Sequence, residues 1–240
     1  MCTVSIVTWA GGLRLVANRD EQRSRADALP PRLVERNGVH SIQPIDAASG
    51  GTWVAVNEFG VAFALLNVNP ATPFQAGTHS RGEIIAALAA LDSIEDVVEA
   101  MKAVDHAQYS PFRLICAAGE VAVEIAPYLS LRRQHALDSP VMFTSSGLGD
   151  DRVEGPRRRL FDELVGVTDA GGRKTIDRQD SFHAHRWSDA PHLSVFMSRD
   201  DACTVSRTVI EVRERGVAMT YAGRPDWESR TLRMPRAGAG

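Results

Sequence analysis

Three residues of this chain, Cys2, Arg19 and Asp20, have the functional groups that an activated thiol nucleophile needs. An initiator methionine is usually trimmed when the residue after it is small, and trimming here leaves a thiol and a free α-amine on one residue. An α-amine with an unperturbed pKa of about 7.7 to 8.0 takes a thiol proton near neutrality. A chain-terminal amine acting as base for its own side chain thereby activates a nucleophile. Arg19 is the candidate to hold the thiolate by charge, and Asp20 the candidate to orient the amine. The plainer accounts are a small hydrophobe in an edge strand for Cys2 and a solvated ion pair for Arg19 and Asp20. Three cysteines in 240 residues make one at a given position roughly a one-in-eighty accident.

These groups need elements that bring them together. Residues 3–9 are β-branched or aromatic at most positions, Gly11-Gly12 supplies turn residues, and residues 13–17 are again mostly apolar. That pattern predicts a hairpin, which folds Asn18-Arg19-Asp20-Glu21 back beside Cys2. Gly50-Gly51-Thr52-Trp53 opens a second hairpin, with strands over 52–56 and 61–66 around Asn57-Glu58-Phe59-Gly60. The paired glycines allow close backbone approach to a ligand, and Trp53 serves either as a pocket wall or as core. Residues 22–46, rich in Arg, Asp and Pro, are expected to form a long loop over the active face.

Further along, Ser80 and Glu83 have capping-box spacing before Ile84, Ile85 and Leu88, and a second helical pattern starts at Ser93. Residues 112–117 and 121–126 flank Gly119-Glu120 as a third hairpin, which residues 129–137 continue, and Cys116 lies inside it as a buried, inert thiol. A third helix is expected from Pro156, with the Arg157-Arg158-Arg159 run on a solvated face. Residues 169–180 read as a mobile connection, residues 193–197 as a half-buried strand, and residues 205–212 pair with 217–221. Residues 235–240 are expected to fray.

Composition bounds the rest. With 44% hydrophobic residues and no internal linker, the chain reads as one domain over residues 1–240. A net charge of −3 gives no electrostatic reason for nucleic acid or anionic membranes as partners, and no run reaches the roughly 18 to 20 apolar residues of a span. The odd, scattered cysteines argue against a disulfide framework and for a reducing, cytoplasmic setting. His183, His185 and His192 are expected to be exposed loop histidines, not a metal site, because a structural zinc site takes about four protein ligands.

Met-Cys-Thr at the start, Asn18-Arg19-Asp20-Glu21, and Gly50-Gly51-Thr52-Trp53 together resemble the NRDE family of transport-and-Golgi-organisation proteins, in its order and spacing. That family is similar in pattern to the N-terminal-nucleophile (Ntn) hydrolases of the choloylglycine hydrolase and penicillin V acylase type. The resemblance implies an α+β fold, a four-layer αββα sandwich of two mostly antiparallel sheets, in which an N-terminal cysteine cleaves a non-peptide amide of a small acylated molecule. Asn57-Glu58-Phe59-Gly60 followed by residues 61–67 resembles the segment that places an oxyanion-hole asparagine at Asn67. Ser145 stands where the hydrolases have a second asparagine, and the arginine and acid of their first hairpin are each displaced by one residue, so either Asp20 or Glu21 is left to meet the amine. Residues 197–206 resemble a family segment of unassigned chemistry, with a turn tied by Ser and Thr hydroxyls as the plain reading. No cofactor is expected. The family's links to haem handling and lipid homeostasis give the alternative of a non-catalytic binding protein, in which Cys2 is a thiolate ligand to haem iron.

Overall fold

The computed structural model describes residues 2–70, 74–166 and 173–238. The first hairpin forms as expected, from β1 (Cys2–Trp9) and β2 (Gly12–Gln22), but β2 runs on through the whole Asn18–Glu21 tetrapeptide. Two strands, β3 (Leu29–Arg36) and β4 (Val39–Ile45), replace the long loop expected over residues 22–46. The prolines that argued against regular structure are tolerated because β3 is an edge strand, and its pairing register shifts between Leu29 and Arg32, where Pro30 and Pro31 lie.

The second hairpin is β5 (Val54–Asn57) and β6 (Ala62–Asn67). Helices α1 (Gly82–Leu88) and α2 (Ile94–Lys102) follow. Ser93 caps α2 by accepting the Asp96 amide, as its sequence predicts. The third hairpin is β7 (Phe112–Ala118) and β8 (Val121–Ala126), continued by β9 (Leu131–Ala136) and then β10 (Val141–Ser145).

Helix α3 (Asp150–Leu164) begins well before Pro156, which sits inside it. Asp150 and Asp151 suit the positive end of the helix, so the acidic turn, not the proline, sets its start. Helix α4 (Arg173–Ala184) occupies most of the expected mobile connection, the rest of which lies outside the described residues. Residues 193–197 form no strand. Val195 and Met197 are buried, Val195 beside Phe161 and Phe182 of α3 and α4 rather than in a ladder. The chain closes with β11 (Ala202–Arg213), β12 (Gly216–Gly223) and an unexpected edge strand, β13 (Arg230–Pro235), whose residues are mostly exposed.

The strands make two antiparallel sheets, ordered β10-β1-β2-β11-β12-β13 and β3-β4-β5-β6-β7-β8-β9. Side chains alternate across each strand, so one face of each sheet meets the other sheet and the second face meets helices. Val4, Ile6, Leu13 and Leu15 pack between the sheets against Val54, Val56 and Leu66. Phe63 and Ala55 point the other way, onto Ile84, Ile85, Val97 and Met101 of α1 and α2. Val7 and Met142 do the same beneath Phe161 and Phe182 of α3 and α4. Helix, sheet, sheet and helix are the four layers of an αββα sandwich. Among the described residues, no helix is long and apolar enough to cross a membrane.

Candidate active site

Cys2 sits in the middle of a three-strand row, with Arg19 of β2 directly opposite on one side and Ser145 of β10 on the other. The Cys2 amide donates to Ser145 Oγ at 3.2 Å. Ser145, which stands where the hydrolases have a second asparagine, therefore sits behind the Cys2 nitrogen, while the cleft itself is lined by Cys2, Arg19, Asp46, Trp53, Asn67 and Arg81, among others. This cleft has a volume of about 280 Å³. Cys2 is only 7% exposed, and that burial pushes its thiol up, with Asp20 and Glu21 adding to the rise and Arg19 opposing it.

Arg19 shares Cys2's face of the sheet, and its guanidinium lies 4.3 Å from the centroid of the Trp53 ring. Trp53 is thus both core and cleft wall. The carboxylate that holds Arg19 is Asp46, at 2.5 Å, with Glu21 at 3.4 Å. Asp46 also accepts from Arg25 at 3.0 and 3.1 Å, and from the amides of Ala48 and Ser49. Burial alone raises the Asp46 carboxyl. The Arg25 hydrogen bonds and the Arg19 and Arg25 charges outweigh it and hold the group below the usual carboxylate range.

Asp20 points away from Arg19, because successive strand residues face opposite sides. It accepts from the Thr204 hydroxyl at 2.6 Å, beside a β-bulge between Thr204 and Ser206. The same hydroxyl accepts from the Met197 amide, so the 197–206 segment is a turn that fixes Asp20. Burial raises the Asp20 carboxyl, against the charge of Arg157 and the Thr204 hydrogen bond. In the antiparallel register Asp20 lies one step beyond Arg19, toward the end of β1 at which the Cys2 nitrogen stands.

Two sequence readings change here. Arg157 is 1% exposed, not on a solvated face: it donates to Thr3 Oγ1, Thr144 Oγ1 and the carbonyls of Leu193 and Ser194. His183 is fully buried on α4, with Nε2 2.7 Å from Ser5 Oγ, so it is no loop histidine. No group of three or more His, Cys, Asp or Glu residues that could hold a metal occurs among the described residues. Cys116 is buried, its thiol pushed up to about 12 by that burial. Asn67 ends β6 at the cleft, and its side-chain amide makes no hydrogen bond among the described residues.

Sequence reasoning missed Asp46, Arg25, Arg81 and Arg157. Asp46 carries a readable signal, an Asp before Ser49-Gly50 that accepts from the Ser49 amide as turn-forming aspartates do. A larger cavity, about 620 Å³, opens around the Gly11-Gly12 turn at the far end of β1 and contains none of the candidate residues.

This architecture, two facing antiparallel sheets between helical layers with the N-terminal strand at a cleft, is an Ntn-hydrolase-like fold. Its fold is shared with a Caenorhabditis elegans N-acylethanolamine-hydrolyzing acid amidase ortholog, at 15% identity and a TM-score of 0.55, over 87% of this chain and 92% of that one. A variant of the conjugated bile acid hydrolase from Clostridium perfringens is similar at 13% identity and a TM-score of 0.55, over 97% and 92%. The chain belongs to the Transport and Golgi organisation 2 family, whose model matches residues 1–221. No curated protein matches it.

Proposed function

We propose that this protein is an N-terminal-cysteine amidohydrolase acting on a non-peptide amide of a small acylated molecule. The observation that carries the reading is Cys2 itself: the second residue lines a cleft, has Arg19 directly opposite, and holds its nitrogen against Ser145 Oγ. Once Met1 is removed, that nitrogen is the α-amine. It takes the thiol proton as Sγ attacks the substrate carbonyl carbon, and the carbonyl π electrons move to oxygen. Asn67 donates to this oxyanion, a contact type worth about 2.7 to 4 kcal/mol. On collapse the C–N bond breaks, the ammonium of Cys2 protonates the leaving nitrogen, and a thioester remains. Water then attacks with the amine as base, and the thiolate leaves and regains its proton.

Arg19 steadies the thiolate, and its own position is set by Asp46 and Trp53. Ser145 and Asp20 hold the amine as positioning residues. The cleft volume, about 280 Å³, lies at the foot of the range of about 300 to 1,000 Å³ usual for drug-sized ligands, which favours the reacting end of a small amide over a macrocycle such as haem. Intact mass of the purified chain tests the proposal, before and after a p-nitrophenyl acyl ester. A mass beginning at Cys2 with a single acyl adduct, absent in Cys2→Ala, is the expected result; retained Met1 with no adduct defeats it.

A further inference from the structure

One cation of the cleft is left over. Arg19 and Arg25 both pair with Asp46, whereas Arg81 has no carboxylate within ion-pair distance among the described residues. Its one hydrogen bond there runs from Nη1 to the Pro111 carbonyl at 3.0 Å. Arg81 lines the same cleft as Cys2; burial and the Arg25 charge press its guanidinium down, while the charges of Cys2 and Glu21 oppose them. Glu21, already shared by Arg19 at 3.4 Å and Arg25 at 3.7 Å, acts on Arg81 through its field and not by contact; a partly buried charge without a direct partner is costly, and such groups are normally paired.

The backbone holds Arg81 in place. Gly82, the next residue, packs directly on Gly51: a Cβ on Gly51 would lie 2.7 Å from the Gly82 carbonyl carbon, and a Cβ on Gly82 would lie 2.8 Å from the Thr52 nitrogen. The Thr52 amide donates to the Gly82 carbonyl at 3.2 Å across this contact. The Gly50-Gly51-Thr52-Trp53 segment and the Ser80-Arg81-Gly82 segment therefore form one wall, with Trp53 and Arg81 both lining the cleft. Nη1 is anchored, and the other donors of the guanidinium fork remain for a ligand.

We propose that Arg81 recognises an anionic group on the substrate, a carboxylate or sulfonate a few bonds from the scissile amide. This rests on the amidohydrolase reading and narrows its substrate class to acidic amides. The anion sits on either side of the amide bond, and the ligands chosen for the test separate the two cases.

Calorimetric titration of the Cys2→Ala protein uses N-butyrylglycine (anion on the amine side), N-propylsuccinamic acid (anion on the acyl side) and neutral N-butyrylethanolamine. At least one acid is expected to bind about 10- to 100-fold more tightly than the neutral amide, the range of a hydrogen bond to a charged group. Arg81→Gln in the same background is expected to bring the ratio to about unity, and Arg81→Lys to restore part of it. The unsubstituted Arg81 protein supplies a control that needs no folded variant: its preference is expected to shrink as salt rises. Equal binding of all three amides, no binding of either acid, or an undiminished preference in Arg81→Gln overturns the proposal. Turnover of the same compounds by the protein with Cys2 intact is read separately. Acid-selective binding without hydrolysis refutes the amidohydrolase reading alone, and hydrolysis without acid preference refutes the Arg81 assignment alone.

Discussion

Arg19 faces Cys2 across the β1–β2 ladder, yet its guanidinium is held from the other sheet, by Asp46 at the end of β4. The pair therefore bridges the sandwich, and the surroundings of Cys2 depend on a carboxylate that no motif names. Asp46→Asn leaves Arg19 and Arg25 with a neutral acceptor and the more distant Glu21 in a mostly buried site. Removing one partner of a buried pair costs about 3–5 kcal/mol, so urea unfolding is expected to show a loss of that size. The acid limb is informative as well. The Asp46 carboxyl is depressed in the fold, so its stabilisation is complete above the unfolded value of about 3.9 and is lost as pH falls through the lower folded value. Asp46→Asn is expected to flatten that part of the acid-unfolding curve.

Cys2 is the thiol expected to react. Burial raises both Cys2 and Cys116, but Cys2 lines a cleft while Cys116 is sealed between β7 neighbours and the α1–α2 layer. Iodoacetamide at mildly alkaline pH should add to Cys2 before Cys116, with a rate that climbs with pH as the thiolate fraction grows. Peptide mapping of the adduct checks the order. Equal modification of Cys116 in the folded protein would contradict this burial.

His183 gives a second pH dependence at a distance from the cleft. It is sealed between α4 and β1, against Ser5 Oγ, and burial, with the charges of Arg207, Arg14 and Arg157, drives it well below its ordinary value. The folded histidine stays neutral while the unfolded one protonates below about pH 6.5. Stability is thus unaffected above that pH and falls as pH drops beneath it. Melting temperature measured from pH 7.5 to 5 should show this slope, and His183→Gln should lessen it. A slope unchanged in the variant would assign the effect to another group.

The apolar alternation that makes β1, β2, β5 and β6 was legible because each strand has one face in the core between the sheets, a constraint written directly in residue type. The same reasoning failed where burial and polarity part company. Arg157 reads as one of three surface arginines because its charge outweighs its helical spacing of four from Val153 and Phe161, the residues with which it turns inward. β3 and β13 are edge strands with mostly exposed side chains, so neither carries a period-2 signal. In the site, the hairpin register brought Cys2 and Arg19 together as its sequence predicts. Asp46 and Arg81 reach the cleft from separate elements, through contacts that depend on how the sheets and helices dock.

That docking has a direct test in Gly51 and Gly82, whose backbones touch with no side chain between them. Neither residue has an unusual backbone requirement in its favour, so the argument is one of space alone. A methyl on Gly51 meets the Gly82 carbonyl carbon at 2.7 Å, which is backbone and cannot swing aside. Gly51→Ala is therefore expected to cost about 1–3 kcal/mol as overpacking does, and to part the wall that carries Trp53 and Arg81. Gly50 is the internal control: its φ is +73° with open space around the added carbon, so Gly50→Ala strains its own turn without separating the two segments. Both variants lose stability on denaturation. Only Gly51→Ala should also weaken binding of an acidic amide to the Cys2→Ala protein, and equal effects on binding from the two would show that the close contact does not hold the cleft together.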